Sequence, residues 1–226
     1  MTPPMERRYT WLVAILAIIG FVADQTSKYV VFATLYPSEP TQIATTHHVV
    51  PDWFALQTHY SPDEDPGDGL LSFLRTISGE RLPFVNKGAL FGIGSNGEGL
   101  NYIFMTISIL AACFIIFWAR RPNVAQDRFL CFALGLILAG TLGNLFDRIV
   151  FSGVRDFLHC YYIDSAGMPH IWPDFNVADC CLVCGASVLL LHSFFAKEID
   201  EPAKPVTATM QAAETHVQAT SPTGGA

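Results

Sequence analysis

The sequence predicts an all-α integral membrane protein with four transmembrane helices and both termini cytoplasmic. A small extracytoplasmic region containing β structure is expected in the loop between the first two spans. Three observations carry this. Hydrophobic residues make up 51% of the 226-residue chain and charged residues only 15%. The apolar residues gather into four blocks, Trp11–Leu35, Leu100–Ala119, Phe129–Ile149 and Val177–Ala196, each near the roughly 20 residues needed to cross a hydrocarbon core. The basic residues of the short flanking segments fall where one side of a bilayer would lie.

The first block follows Arg7 and Arg8. Its opening, "ERRYTWLVAILAIIGFVA", also has the look of a secretory signal. The residues ending at Ala23 do not make a good small-x-small cleavage site, and the apolar pattern resumes at "YVVFATLY", so a retained helix is expected. Arg120, Arg121 and Arg128 fill the link between the second and third spans, and Lys197 follows the fourth. These segments are read as cytoplasmic, which puts Tyr36–Gly99 and Val150–Asn176 outside. Trp11 and Trp118 then fall at an inner interfacial belt, and Tyr161, Tyr162 and Trp172 at an outer one. Residues 1–200 form the expected membrane domain. Residues 201–226, rich in Ala, Thr, Pro and Gln, read as a disordered cytoplasmic tail.

The net charge of -7 comes from acids clustered in loops, as in "SPDEDPGD" and "KEIDE". No basic stripe follows a phosphate backbone, so a nucleic-acid partner is excluded. Of six cysteines, Cys113, Cys131, Cys180, Cys181 and Cys184 fall within the proposed spans and read as packing residues, not as a disulfide framework or a redox CxxC.

Polar residues inside apolar spans are costly and usually face one another or a cavity. With about 1.5 Å of rise per residue, all of them fall at one depth. Asp24 and Lys28 lie in the outer half of the first span; Asn144, Asp147 and Arg148 close the third; Asn176 and Asp179 open the fourth. Each has a local explanation. Asp24 and Lys28 have the i,i+4 spacing of a helical ion pair. Arg148 can snorkel, with Asp147 as its partner. Asn176 and Asp179 have the N-cap and N3 spacing of a capping box. Their coincidence at one level points beyond these to a site.

Asp156 and Asp179 flank the loop "FLHCYYIDSAGMPHIWPDFNVA". Two carboxylates brought close cannot both ionise cheaply, so one serves as general base for water and the other as acid towards a carbonyl. Asp174 reads as incidental. Other chemistries fare worse: there is no HExxH zinc spacing among the seven histidines and no GxSxG elbow. Cys160 beside His159 makes a poor nucleophile–base pair. "GIGSNGEG" lacks a P-loop lysine and reads as a turn.

Taken together the motifs resemble the lipoprotein signal peptidases, or signal peptidase II, bacterial aspartic peptidases of the inner membrane. "DQTSKYVV" (Asp24–Val31) is similar to the family's first-helix motif and "NKGALFG" (Asn86–Gly92) to its outer-loop motif. "GTLGNLFDRI" (Gly140–Ile149) matches its third-helix motif, while "VRDF" (Val154–Phe157) and "FNVAD" (Phe175–Asp179) match the two aspartate motifs. The resemblance implies hydrolysis of the peptide bond before the lipid-modified cysteine of a diacylglyceryl-modified prolipoprotein. Asp156 and Asp179 would be catalytic, with no metal and no cofactor. Asn144, Arg148 and Asn176 would orient the dyad or the substrate, and Asp24, Lys28 and Asp147 would hold the helices in register. Asn86, Gly88 and Phe91 would lie over the substrate. Prolipoproteins and membrane lipids are the expected partners of a monomer whose site lies at the extracytoplasmic face. Two departures stand out: an insert over about residues 57–83, where the family runs almost directly from "WFAL" to its outer-loop motif, and a longer loop between the two aspartates.

The rival from another class is a small four-helix proton-coupled transporter. It requires carboxylates near the midplane and internal symmetry, and the sequence has neither. A purely structural membrane subunit is the other alternative, and it requires Asp156 to be replaceable.

Overall fold

The structure, a computed structural model, describes residues 8–39, 41–61, 66–67, 70–88 and 98–196. Four helices in it are long and apolar enough to cross a membrane: α1 (Thr10–Thr34), α3 (Glu98–Trp118), α5 (Arg128–Phe151) and α6 (Val177–Ala196). Their bounds fall within two residues of the four apolar blocks. Two short helices, α2 (Leu70–Thr76) and α4 (Pro122–Ala125), lie in the connections. The last residues of α6, 192–196, belong to a second compact unit, His192–Ala226, and are its only described part. The expected tail, 201–226, lies outside the described residues.

On α1 the buried residues are Val13, Ala17, Asp24, Gln25, Lys28 and Phe32, one stripe at helical spacing. Its first half is apolar and packs with Leu134, Leu138 and Cys131 of α5 and Ala112 and Ile115 of α3. Its second half carries the polar Asp24, Gln25 and Lys28 and ends at the apolar Phe32. The other faces expose Ile15, Ile18, Ile19 and Val22, as lipid-facing helices do. The backbone N–H of Tyr9 donates to Ala125 O at 2.6 Å, so the start of α1 shares an end with α4. Asp127 caps α5, its Oδ1 accepting from the N–H of Phe129 and Leu130 at 2.9 and 3.0 Å, and α5 ends where Ser152 turns left-handed, φ 61°.

Close approach of α1, α5 and α6 depends on small residues. A Cβ on Gly140 would stand 2.3 Å from the carbonyl oxygen of Ala178, and one on Gly143 would stand 2.6 Å from Oδ2 of Asp24. At Gly140 the obstacle is backbone, so glycine is required; at Gly143 it is a carboxylate oxygen, which an added methyl group would displace.

At the other end of the bundle sits a four-stranded antiparallel sheet in the order β1 (Ala44–Val50), β2 (Phe54–His59), β3 (Leu158–Ile163), β4 (Pro169–Ile171). The expectation of β structure between the first two spans is therefore incomplete: half of the sheet comes from the loop between the last two. β2 and β3 join the loops through the pairs Phe54↔Cys160, Ala55↔His159 and Leu56↔Leu158. β2 also runs three residues into the stretch read as the insert. The sheet is tied to the end of α1, because the Tyr60 hydroxyl donates to Phe32 O and Thr58 Oγ1 donates to Leu35 O at 2.9 Å. Phe32, Tyr60 and Phe157 form a buried cluster there. Within the insert, α2 docks on the same end of α1 and α5. Tyr29 Oη donates to Leu74 O at 3.1 Å, and Arg75 Nε donates to Val150 O at 2.6 Å.

Candidate active site

At the sheet end of the bundle a charge cluster is buried where α1, α5 and the segment after α5 meet. Asp24, Lys28, Asp147 and Arg155 are each 0% exposed. The expected i,i+4 pair is present, Lys28 Nζ to Asp24 Oδ2 at 2.8 Å, but Lys28 also reaches Asp147 Oδ2 at 3.3 Å. Arg155 holds Asp147 three ways. Its backbone N–H and Nε donate to Oδ2 at 3.0 and 3.2 Å, and its Nη2 donates to Oδ1 at 2.8 Å. Two acids and two bases leave the cluster neutral, the condition under which buried charge is tolerable. Gln25 completes it, donating from Nε2 to both acids and to Gly143 O, and accepting Arg155 Nη2 on Oε1 at 2.9 Å. The Arg155 guanidinium lies between the rings of Tyr29 and Phe151, 4.3 and 4.0 Å from their centroids, where cation–π attraction compensates its lost water.

From this cluster two lines run to the start of α6. Lys28 Nζ donates to Asn144 Oδ1 at 3.4 Å, and Asn144 Nδ2 donates to Asp179 Oδ1 at 2.8 Å. Asp24 Oδ1 accepts the N–H of Ala178, in the first turn of α6, at 2.8 Å. The free N–H groups at that helix start are further satisfied by the capping box read from the sequence. Asp179 N–H donates to Asn176 Oδ1, and Asn176 N–H donates to Asp179 Oδ2, both at 3.1 Å.

Asp156, which directly follows Arg155, accepts Asn176 Nδ2 on Oδ1 at 2.7 Å and Asn86 Nδ2 on Oδ2 at 3.0 Å. Asn86 is aimed by local geometry. Its backbone pairs both ways with Val154, at 2.7 and 3.0 Å, and its Oδ1 accepts the Gly88 N–H at 2.9 Å, which leaves its amide nitrogen for Asp156. Gly88 has φ 97° and lies against the Phe104 ring, so glycine is required there. Burial pushes the Asp156 carboxyl up to about 6. The amides of Asn86 and Asn176 pull in the other direction, the Asp179 charge adds to the rise, and Lys28 opposes it.

The structure thus brings together Asp24, Lys28, Asn86, Gly88, Asn144, Asp147, Asp156, Asn176 and Asp179. Phe91 lies outside the described residues. The expected Asp147–Arg148 pairing is corrected: consecutive helical residues do not face each other, and the bonds of Asp147 go to α1 and Arg155. Arg148 instead lies over the Phe104 ring, 4.7 Å from its centroid, and meets Asn101 through Nη1 at 3.5 Å. Sequence reasoning missed Gln25, Asn101 and Arg155. Charge balance was the available signal for the last, since two acids and one lysine on facing spans require a second buried cation.

Comparison with known proteins gives the family and the fold. The family model described as signal peptidase (SPase) II matches residues 81–195. A lipoprotein signal peptidase of Rhodopirellula baltica is 43% identical over 49% of this chain and 51% of that protein, so the chain spans about half the length of that relative. One of Symbiobacterium thermophilum is 30% identical over 79% of this chain and 91% of its own. A solved structure described as a bacterial membrane enzyme shares the fold, with a TM-score of 0.62 at 21% identity over 88% of this chain and 97% of that one. The chain is a multi-pass membrane protein that belongs to the signal peptidase II family.

Proposed function

We propose that the protein is an aspartic endopeptidase that removes signal peptides from diacylglyceryl-modified bacterial prolipoproteins, cutting before the lipid-modified cysteine. The observation that carries this is the joining of Asp156 and Asp179 through one residue, Asn176, in unlike settings. Asp156, held up at about 6, is the acid. Asp179 accepts N–H bonds on both oxygens at the positive end of α6, the setting of a charged acceptor, and is the base. It takes a proton from water as the water oxygen attacks the scissile carbonyl, and Asp156 protonates the carbonyl oxygen. On collapse Asp179 gives its proton to the nitrogen as the C–N bond breaks, Asp156 takes one back from a hydroxyl of the intermediate, and the dyad again holds one proton.

Arg148, Asn144 and Asn86 flank the dyad and orient the substrate backbone, with the loop bearing Gly88 and Phe91 over it. Asp24, Lys28 and Asp147 hold the helices. The site faces outward from the bacterial inner membrane. Supporting this, the basic link Arg120, Arg121 and Arg128 lies between the ends of α3 and α5 remote from the sheet. The working unit is a monomer comprising residues 1–200, with 201–226 as a cytoplasmic tail and membrane lipid around it.

The test is Asp156→Asn and Asp179→Asn, each assayed on a diacylglyceryl-modified prolipoprotein in detergent. Loss of cleavage in both folded variants is expected. Normal cleavage by either removes the dyad, and equal cleavage of an unmodified precursor removes lipid dependence.

A further inference from the structure

The hairpin that separates Asp156 from Asn176 has a fault in it. Near the two acids its legs are paired: the N–H groups of Phe157 and Leu158 donate to Phe175 O at 3.0 and 2.9 Å, and Phe175 N–H donates to Leu158 O at 3.2 Å. Further out they pair again, with Trp172 N–H donating to Cys160 O at 2.9 Å and Tyr161 opposite Ile171. Between these the register changes by one, from Tyr161↔Ile171 to Leu158↔Phe175, so Pro173 and Asp174 together oppose His159. This is a β-bulge, and Pro173 has no N–H to give to the ladder.

Across that gap His159 Nδ1 and Asp174 Oδ1 stand 2.6 Å apart, with side chains 14% and 24% exposed. The imidazole also lies against the ring of Tyr161, at 5.3 Å between centroids, and His159 pairs through β3 with Ala55 of β2, which is fully buried. One side of the bond is therefore anchored in the sheet. The other stands two residues before Asn176.

We propose that the His159–Asp174 bond is a side-chain rung replacing the main-chain rung lost at the bulge, and that the two are positioning residues for the hydrolysis. The rung fixes the leg that carries Asn176 against the leg that carries Asp156, and so sets the hydrogen bond through which Asn176 holds that carboxylate. It touches neither substrate nor reacting atoms. The proposal rests on the dyad reading given above.

The test uses His159→Leu, Asp174→Ala and the double variant in the full-length protein, with kcat and KM measured on a diacylglyceryl-modified prolipoprotein. Because misplacing reacting groups by about 1 Å can cost on the order of a hundredfold, kcat is expected to fall roughly tenfold to a hundredfold with KM within about twofold. The double variant is expected to be no slower than either single one. His159→Asn, which keeps an N–H donor at the place of Nδ1, is expected to recover most of kcat, and Asp174→Ala carries the test if His159→Leu does not fold. A wild-type kcat in folded His159→Leu or folded Asp174→Ala overturns the proposal, as does a raised KM with unchanged kcat, which would make the pair a substrate contact. Asp156→Asn and Asp179→Asn run alongside: loss of cleavage there with a normal His159→Leu rejects the rung alone, whereas cleavage by Asp156→Asn rejects the dyad and the rung with it.

Discussion

Asn176 donates a 2.7 Å hydrogen bond to Asp156 from the residue that also caps α6. One side chain thereby serves both the helix and the carboxylate, and the two duties are separable. Serine caps a helix about as well as asparagine but has no amide N–H to give to Asp156, and its hydroxyl is one bond shorter than the asparagine amide nitrogen. Asn176→Ser should change thermal stability by less than about 0.5 kcal/mol while cleavage falls by roughly a hundredfold. Parallel melting and rate measurements check this, and an equal loss in both would show that the cap alone matters.

Asp156 is expected to titrate near pH 6 in the substrate-free protein, seen as the protonated carboxyl band in isotope-edited infrared spectra. Its pKa is above the ordinary 3.8, so folding takes up a proton between those values. The sign follows: this group favours the folded state below the window and that contribution is lost as pH rises through it. Replacing Asn86 by Ala removes a donor that favours the charged form and should move the titration higher.

The buried quartet is neutral, and its neutrality matters more than any single bond. Arg155→Met leaves an uncompensated negative charge and should cost about 3–5 kcal/mol, measured as loss of the folded fraction in detergent. Adding Asp147→Asn removes that charge, leaves Asp24 and Lys28 paired, and should recover much of the loss. A double variant as unstable as the single one would mean that packing against Tyr29 and Phe151 dominates.

Gly143→Ala places a methyl group 2.6 Å from Asp24 Oδ2. Either α1 moves away or the carboxylate turns from Ala178, and overpacking of this kind costs about 1–3 kcal/mol. Gly99→Ala, with nothing within 4 Å of its Cβ, is the matched control for thermal unfolding.

The long helices were legible because bilayer thickness sets their length. The capping box of Asn176 and Asp179 and the Asp24–Lys28 pair were legible because helical spacing alone brings those residues together. The sheet was only half legible: β2 and β3 lie about a hundred residues apart in the chain, and pairing at that range leaves no periodic mark. Arg155 was hidden by its place in a connecting segment, where arginine is ordinarily solvated. Asp174 was passed over because its partner, His159, meets it only across a bulge, and Asp147 was given to its neighbour in sequence when its real partners lie on another helix and beyond a turn.

The order in which the four buried charges occur along the chain has a consequence for biosynthesis. Asp24 and Lys28 are synthesised first and satisfy each other within one helix, so α1 enters the bilayer without an exposed charge. Asp147 emerges much later, when Lys28 is already in place, and Arg155 follows only eight residues behind it. Each new charge thus meets its counterion within the chain already made or about to be made. The first turn of α6, the last of the four spans to be synthesised, closes on Asp24 of the first.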